Sequence, residues 1–343
     1  MTSFTNNSPF EIFNAQDTTH EKAHDFTPTT FEEYLGQTEL KNKLRVYTQA
    51  ALQRNEPLDH LLLFGPPGLG KTTLSCIMAH IMKVNIKICS GPMMERTGDL
   101  VAILSSLTPR DILFIDEIHR MPTHVEEVLY SAMEQFRVDV ILGQGAGAKS
   151  INLPLAPFTL IGATTKSGMI SAPLRSRFGI VERLDFYTYQ ELTEIVLQSA
   201  QFLQLPITPQ GAHMIARASR GTPRIAKKMV RRVRDIAQVD HNNMATDEVV
   251  AKALEFLGID SDGLSVLDNY ILKTILISCK GGPVGLETLA SLVAEDKETL
   301  ESVYEPYLIR QGYLEKSARG RMIPQARYVQ LLKKYTASGN IDS

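Results

Sequence analysis

The feature that most constrains this chain is a glycine-rich segment between two apolar elements. Residues 65–72 read Gly-Pro-Pro-Gly-Leu-Gly-Lys-Thr and fit the pattern G-x-x-x-x-G-K-[ST]. The apolar run Leu61–Phe64 precedes the segment and predicts a strand buried on both faces of a parallel sheet. Residues 72–82 follow it, with apolar residues at helical spacing. A glycine turn with an unrelated lysine would need neither flanking element, so the order strand, loop, helix predicts a phosphate-binding loop.

The chemistry of such a loop assigns roles to its residues. At the glycines, Gly68 and Gly70 among them, backbone N–H groups can turn toward phosphate oxygens, and the helix N-terminus adds partial positive charge. Lys71 is expected to reach the β- and γ-phosphates, and Thr72 to bind Mg²⁺. Thr73, the next residue, joins the predicted nucleotide contacts.

A second apolar run ends in two carboxylates. Residues 112–117 read Ile-Leu-Phe-Ile-Asp-Glu. Asp116, at the end of a buried strand, is expected to hold Mg²⁺ directly or through water, and Glu117 to activate the attacking water. The alternative is a solvated acidic turn that caps the next helix. Paired carboxylates beside a buried strand are costly without a cation or water, and the preceding loop favours the catalytic interpretation.

Strand and helix patterns alternate around these motifs. Residues 84–88 and 158–165 predict further strands, the second being the last, and apolar residues within 125–133 predict another helix. This alternation is typical of an α/β layered domain, here from about residue 30 to residue 185.

Composition and charge exclude several classes of protein. The 343 residues include 36 Lys and Arg against 38 Asp and Glu, and the net charge of −2 argues against a basic tail protein and an acidic disordered chain. Three widely spaced cysteines, Cys76, Cys89 and Cys279, favour neither a disulfide framework nor a cysteine zinc site. No apolar run approaches the roughly 18–20 residues of a membrane span, and the N-terminus lacks a secretory signal, so we expect a cytoplasmic protein without membrane contact.

Residues 1–25 are polar and aperiodic, and we expect a flexible tail. Residues 20–24 read His-Glu-Lys-Ala-His and match the H-E-x-x-H zinc motif. A zinc site would need a firm helix that holds both imidazoles on one face, and this stretch has no apolar face to dock one. A solvated tail is therefore the preferred interpretation.

Motifs spread along the chain resemble those of the AAA+ ATPases. They are residues 65–73, Asp-Glu-Ile-His-Arg at 116–120, Leu-Ile-Gly-Ala-Thr-Thr at 160–165, Leu-Arg-Ser-Arg-Phe-Gly at 174–179 and Gly-Thr-Pro-Arg at 221–224. More specifically, residues 26–335 resemble the RuvB family of bacterial Holliday-junction branch-migration motors. The segments that carry this likeness are residues 34–37, 133–136, 141–145, 177–181, 221–226, 281–286 and 305–309.

The resemblance implies a fold and a domain order. The fold class is α/β: an AAA+ P-loop NTPase domain whose parallel sheet has helices on both faces, followed by a small helical lid domain and a C-terminal winged-helix domain. After the tail of residues 1–25, the ATPase domain is expected over 26–186, the lid over 187–260 and the winged helix over 261–343.

The resemblance also implies roles for individual residues. Thr164 looks like the sensor that detects the γ-phosphate from a strand end. Arg177 looks like an arginine finger that acts on the neighbouring subunit's nucleotide, with Arg175 as the runner-up, and Arg224 looks like a second sensor on the lid. The remaining family nucleotide contacts fall on Phe26, Thr27, Glu134, Gln135, Phe136 and Tyr187. The family usually has arginine at the position of Thr27, which puts that contact in doubt, and at the position of Lys166.

Three further elements predict coupling to partners. Alternating residues around a Gly-rich turn predict a β-hairpin near residues 138–153, which the family uses to dock RuvA; an ordinary sheet hairpin is the alternative. Six basic residues lie within residues 224–234. They could contact duplex DNA, but we prefer the alternative that they form a solvated helix face or an intersubunit one. In the winged helix, residues 306–335 hold seven basic residues and one acid, a net charge of +6. We expect Lys316, Arg319 and Arg321 to contact DNA phosphates on a wing, although a solubilising tail is the alternative.

These inferences converge on an ATP- and Mg²⁺-dependent DNA motor in homologous recombination and repair. By resemblance, it would form a homohexameric ring on the duplex arms of a Holliday junction held by RuvA, in a complex from which RuvC resolves the junction. One alternative is a clamp-loader-like or initiator-like AAA+ ATPase. Another is a nucleotide-switched DNA-binding scaffold that does not hydrolyse ATP, against which Glu117 argues.

Overall fold

The phosphate-binding loop lies in a unit built around a parallel sheet. The computed structural model describes residues 11–13, 26–142, 149–240 and 242–337. The chain divides into two units, Met1–Tyr187 and Thr188–Ser343. The strands of the first unit are β1 (Glu11–Phe13), β2 (Leu61–Phe64), β3 (Ile86–Ser90), β4 (Ile112–Asp116), β5 (Arg137–Leu142), β6 (Lys149–Pro154), β7 (Thr159–Thr164) and β8 (Ile180–Arg183).

Six strands pair in the order β1-β3-β4-β7-β2-β8. The last five strands in this order, β3, β4, β7, β2 and β8, run parallel to one another. Strand β7 therefore lies between β2, which leads into the phosphate-binding loop, and β4, which ends in the acidic pair. Since parallel strands end at one edge, the sheet brings both motifs together.

Helices cover both faces of the sheet. The helices of this unit are α1 (Thr38–Arg54), α2 (Lys71–Met82), α3 (Thr97–Ser105), α4 (Thr123–Gln135) and α5 (Ala172–Arg175). Leu113 and Ile115 of β4 share one core cluster with Leu129 of α4. Ile112 and Phe114 alternate with them, point to the other face and are also fully buried. Since α2 contacts β4 and β7, the α/β fold class is confirmed.

The sequence pattern does not predict two of these strands. We expected a flexible tail over residues 1–25, but Glu11–Phe13 forms an edge strand antiparallel to β3. Its pairing uses main-chain groups and needs no apolar repeat. We expected residues 158–165 to be the last strand, but β8 follows and pairs with β2. Val181 of β8 is 38% exposed, so no continuous apolar run marks this strand. The H-E-x-x-H motif at 20–24 lies outside the described residues.

The predicted hairpin near residues 138–153 forms from β5 and β6. These strands pair antiparallel from Arg137 opposite Pro154 to Leu142 opposite Lys149. The turn between them, residues 143–148, lies outside the described residues.

The second unit begins with four helices. They are α6 (Tyr189–Phe202), α7 (Pro209–Ala218), α8 (Pro223–Asp240) and α9 (Asp247–Phe256). The hydroxyls of Thr188, Thr208 and Thr246 accept backbone N–H groups in the first turns of α6, α7 and α9. Fully buried Leu192 of α6 and Ile215 of α7 belong to the apolar faces that join the helices.

The rest of this unit combines helices with a short hairpin. Its elements are α10 (Val266–Lys273), α11 (Leu286–Val293), α12 (Lys297–Thr299), α13 (Glu305–Arg310), β9 (Glu315–Ser317), β10 (Gly320–Met322) and α14 (Gln325–Ala337). Strands β9 and β10 pair antiparallel as the predicted wing. Helix α14 is not predicted, and its Leu331 packs into a core cluster with Leu308 and Ile323.

Candidate nucleotide site

The glycine-rich loop has the backbone that a phosphate cradle needs. Gly68 and Gly70 have φ values of +78° and +102°, in the left-handed region that side chains disfavour. A Cβ atom at Gly70 would lie 2.5 Å from Tyr34 Oη. Lys71 is buried, and its Nζ donates to Gly65 O at 2.8 Å and to Pro66 O at 3.1 Å. The ammonium group is therefore held against the loop, one residue before Thr72.

Two buried tyrosines support the loop. The hydroxyl of Tyr34 donates to Leu69 O at 3.0 Å, and that of Tyr187 donates to Tyr34 Oη at 2.8 Å. Burial, reinforced by Tyr187, raises the pKa of Tyr34 well above its usual value, so the phenol remains a donor at neutral pH. The role of Tyr34 is missed by the sequence reasoning, although the residue lies in a motif quoted above. The predicted contacts Phe26 and Thr27 are half-buried and exposed, respectively.

The acidic pair and Thr164 lie at the same edge of the sheet as the loop. Asp116 is the last residue of β4, and Thr164 is the last residue of β7 and lies opposite Phe64 of β2. Gly65 N donates to Thr164 O at 3.1 Å, which joins the loop to β7. The sheet therefore brings Lys71, Asp116 and the predicted sensor to one edge.

Glu117 is held by side chains from two elements. Its Oε2 atom accepts from Thr165 Oγ1 at 3.1 Å and lies 3.1 Å from His119 Nδ1. The same Nδ1 lies 2.9 Å from Thr164 Oγ1. Glu117 itself has a φ of +47°, which turns the chain out of β4 into the 3₁₀ turn Ile118–Arg120. The sequence does not reveal a role for His119, because Thr164, one of its two neighbours, lies 45 residues further along the chain.

The predicted finger lies at the opposite edge of the sheet. The Arg177 guanidinium lies 4.4 Å from the centre of the Tyr130 ring, and its Nε is 3.1 Å from Glu134 Oε1. Phe136 packs edge-on against Phe158 with ring centres 5.9 Å apart. Phe158 directly precedes β7, so this cluster lies at the amino edge, away from the phosphate-binding loop. Within one chain, the predicted nucleotide contacts Glu134, Gln135 and Phe136 are therefore separated from Lys71.

The second unit carries the remaining predicted residues. Arg224 is exposed in the first turn of α8. In the wing, Lys316 Nζ lies 2.7 Å from Glu305 Oε2, and Arg321 donates to both carboxylate oxygens of Glu305 at 2.6 Å and 3.2 Å. Glu305 is only 2% exposed. Lys316 and Arg321, expected to be phosphate contacts, thus form a partly buried ion-pair network, whereas Arg319 at the turn is exposed.

No helix in the described ranges is long and apolar enough to cross a membrane. The same ranges contain no group of three or more His, Cys, Asp or Glu side chains that could hold a metal ion.

Fold and site together define a P-loop nucleoside triphosphatase of the AAA+ class. Three family models match consecutive parts of the chain: the Holliday junction DNA helicase RuvB P-loop domain over residues 26–184, the RuvB AAA lid domain over 187–260 and the RuvB C-terminal winged helix domain over 261–331. The chain belongs to the RuvB family, which confirms the resemblance noted in its sequence.

Curated proteins and solved structures agree with this assignment. The Holliday junction branch migration complex subunit RuvB of Lactobacillus delbrueckii subsp. bulgaricus is 52% identical over 304 residues, covering 89% of this chain and 90% of the relative. The protein of the same name from Ligilactobacillus salivarius is 50% identical and covers 91% of this chain and 93% of the relative. The structure of the Thermotoga maritima RuvB Holliday junction branch migration motor has a TM-score of 0.80 at 47% identity and covers 89% of this chain and 98% of its own.

Proposed function

We propose that this chain is the ATP-hydrolysing motor that drives branch migration of Holliday junctions in recombination and DNA repair. The relatives described above carry this activity in their names. The observation that carries the proposal is the shared sheet edge. Lys71 lies in the segment after β2, Asp116 ends β4 and Glu117 directly follows it, and β7 with Thr164 lies between these two strands. A buried cation and two carboxylates at one edge are the groups that transfer of a phosphoryl group to water requires.

The residues at this edge fit Mg²⁺ and ATP. Thr72 and Asp116 offer a hydroxyl and a carboxylate oxygen, and Mg²⁺ prefers oxygen ligands from one or two carboxylates together with substrate phosphates. When bound, the ion neutralises charge on the β- and γ-phosphate oxygens. Lys71 contributes a fixed positive charge to the same oxygens, and Glu117 accepts the proton of the attacking water. Gly68, Gly70 and Thr73 would supply backbone and hydroxyl donors to the phosphates.

Arg177 supports a ring of subunits. It lies with Glu134 and Phe136 at the sheet edge opposite Lys71, so a neighbouring molecule's nucleotide is the one it would meet. An arginine finger contributes about 10³–10⁵ in rate in related NTPases. We infer a homohexamer in which these three residues and Gln135 complete the next subunit's site, while Phe26, Thr27, Tyr187 and Arg224 contact the nucleotide in their own chain.

The winged helix supports contact with duplex DNA. Arg319 at the wing turn is exposed, and exposed cations bind the phosphate backbone without regard to base sequence. A motor that translocates any duplex needs this kind of contact. We propose that the β5–β6 hairpin docks RuvA, that RuvC joins the complex to resolve the junction, and that the chain acts on chromosomal DNA in the cytoplasm.

A branch-migration assay tests the proposal. A synthetic four-way junction and a linear duplex of the same sequence are incubated with the chain, with and without RuvA, in ATP and Mg²⁺. We expect dissociation of the junction that depends on both ATP and RuvA, and little effect on the linear duplex. The matched control is Glu117→Gln, which should bind ATP and leave the junction intact. A parental chain that separates the junction no faster than Glu117→Gln would contradict the proposed function.

A further inference from the structure

One nitrogen atom lies between the predicted base and the predicted sensor. Nδ1 of His119 is 3.1 Å from Glu117 Oε2 and 2.9 Å from Thr164 Oγ1. The His119 side chain is only 4% exposed. Glu117, directly after β4, and Thr164, at the end of β7, are both predicted to act in ATP hydrolysis and therefore share one buried partner.

The hydrogen-bond partners of Nδ1 indicate that this nitrogen of the His119 imidazole carries a proton. If Nδ1 carried a lone pair, it would face an ionised carboxylate oxygen of Glu117 at 3.1 Å, and the two lone pairs would repel each other. With the proton on Nδ1, the ring donates to Glu117 and, in a shared bond, to Thr164. Thr164 Oγ1 also accepts from Lys166 N at 2.9 Å. Its own hydroxyl proton is then left for a further acceptor, as a sensor of phosphate oxygen requires.

The backbone around His119 does not depend on the imidazole. The 3₁₀ turn is closed by Arg120 N donating to Glu117 O at 2.9 Å and by Met121 N donating to Ile118 O at 3.2 Å. Ile118 is fully buried beneath it. A Cβ atom on Gly91 would lie 2.4 Å from Glu117 O, so the turn is packed tightly against that glycine. Removal of the ring should therefore take one hydrogen-bond partner from each of Glu117 and Thr164 and leave the turn in place.

We propose that His119 is a positioning residue for ATP hydrolysis, whose Nδ1–H holds the Glu117 carboxylate and orients the Thr164 hydroxyl. The inference rests on the proposed function, because it assumes that Glu117 is the base. Since His119 acts through Glu117 and Thr164 in this proposal, its loss should lower kcat and leave nucleotide affinity unchanged. Misplacement of a catalytic group by 1 Å can reduce a rate by about 10²-fold, and we expect a loss of that order.

Four substitutions of His119 distinguish the loss of a hydrogen-bond donor from the loss of side-chain volume. His119→Leu keeps the bulk and has no donor, whereas His119→Asn places an amide nitrogen near the position of Nδ1. His119→Gln places its amide one bond further from the backbone, and His119→Ala removes the side chain. We expect kcat to fall by about 10²-fold in the Leu, Gln and Ala variants and to recover to within about 10-fold of the parent in His119→Asn. The dissociation constant of a slowly hydrolysed ATP analogue should stay near the parental value in all four.

Three results would overturn the inference: parental kcat in His119→Leu, a His119→Asn as slow as His119→Leu, or a loss confined to nucleotide affinity. If His119→Leu does not fold, the Asn and Gln variants still differ in the position of the donor alone. The double variant His119→Leu/Glu117→Gln gives a second readout. If His119 acts through Glu117, its loss should lower kcat little further once Glu117 has been replaced. A parental chain without ATPase activity, or a Glu117→Gln chain at the parental rate, would instead contradict the proposed function.

Discussion

Removal of the Arg220 side chain should destabilise the second unit strongly. Arg220 precedes α8, and its guanidinium forms an ion pair with Asp268 in the first turn of α10. It also donates to Ser265 Oγ at 2.8 Å and lies 5.3 Å from the ring centres of Tyr304 and Tyr307. Asp268 is fully buried, and the Arg220 side chain is 12% exposed. Arg220 therefore joins the lid helices to the helices that carry the wing.

The size of the stability loss depends on Asp268, which would stay buried without its ion-pair partner. Breaking a buried ion pair by removing one partner costs about 3–5 kcal/mol. Two hydrogen bonds from Ser265 to Asp268 would remain, and burial raises the pKa of Asp268 even with Arg220 present, so the carboxyl group can relieve part of the cost by binding a proton. We therefore expect Arg220→Ala to lose about 3 kcal/mol, near the lower limit. For a unit of 150–250 residues, this loss corresponds to a fall in Tm of about 6–12 °C.

Calorimetry of the full chain measures this loss without relying on tryptophan fluorescence, since the chain has no Trp. The double variant Arg220→Ala/Asp268→Asn removes the uncompensated charge and should be more stable than Arg220→Ala alone. An unchanged Tm in Arg220→Ala, or a double variant less stable than the single one, would refute the argument that an unpaired buried carboxylate is responsible.

Four further predictions concern the nucleotide site, the wing and the acid stability of the chain. Lys71→Ala should abolish nucleotide binding, measured with a fluorescent ATP analogue, and wild-type affinity would remove Lys71 from the site. Arg177→Ala should not hydrolyse ATP alone but should regain activity when mixed with Lys71→Ala, since each supplies what the other lacks; failure of mixed rings to recover would count against action in trans. Arg319→Ala should weaken binding to all duplexes alike and reduce the slope of log K against log salt by about 1, and a sequence-dependent loss would exclude a phosphate contact. Burial pushes the pKa of Asp260 upward, but hydrogen bonds from Lys334 and neighbouring groups outweigh it and lower the pKa, so this carboxylate stabilises the fold above its unfolded pKa and stops doing so as pH falls through the folded value. Asp260→Asn should therefore flatten the acid side of the stability curve, below about pH 4, in chemical unfolding at several pH values.

The fold could be predicted where burial is continuous or a motif is local. The first three residues of β2 and the first four of β4 are fully buried and apolar, and such runs predict a parallel sheet. Strand β8 escapes prediction because it is partly exposed, and β1 because a strand of three residues is too short to show a period in the sequence. Helix α14 escapes because few of its residues enter the core, so its sequence carries a weak apolar period.

The site was predictable to the same extent and for the same reason. Lys71 and Asp116 stand in motifs whose spacing along the chain is fixed. A role for His119 becomes visible only in the folded chain, where β7 brings Thr164 beside it. In the wing, the charge count along the sequence does not show the ion pairs that the structure contains. The charge count over residues 306–335 begins one residue after Glu305 and so leaves out the buried carboxylate that pairs with Lys316 and Arg321. Charge totals along a chain do not reveal which cations are already paired.

The positions of the two sheet edges constrain how copies of this chain can assemble. The phosphate-binding loop follows the carboxyl end of β2, while Arg177 and Phe136 lie at the amino edge. A strand of four residues spans about 13 Å, so the two edges of the sheet lie about this far apart. If Arg177 acts in trans, as proposed, an isologous dimer would leave both half-sites incomplete, because it joins one patch to itself and each site needs the other kind of edge. A heterologous contact, in which the amino edge of one copy meets the carboxyl edge of the next, completes one ATP site per interface. Such a contact must close into a ring or continue as a filament, and only a closed ring leaves no half-site unused.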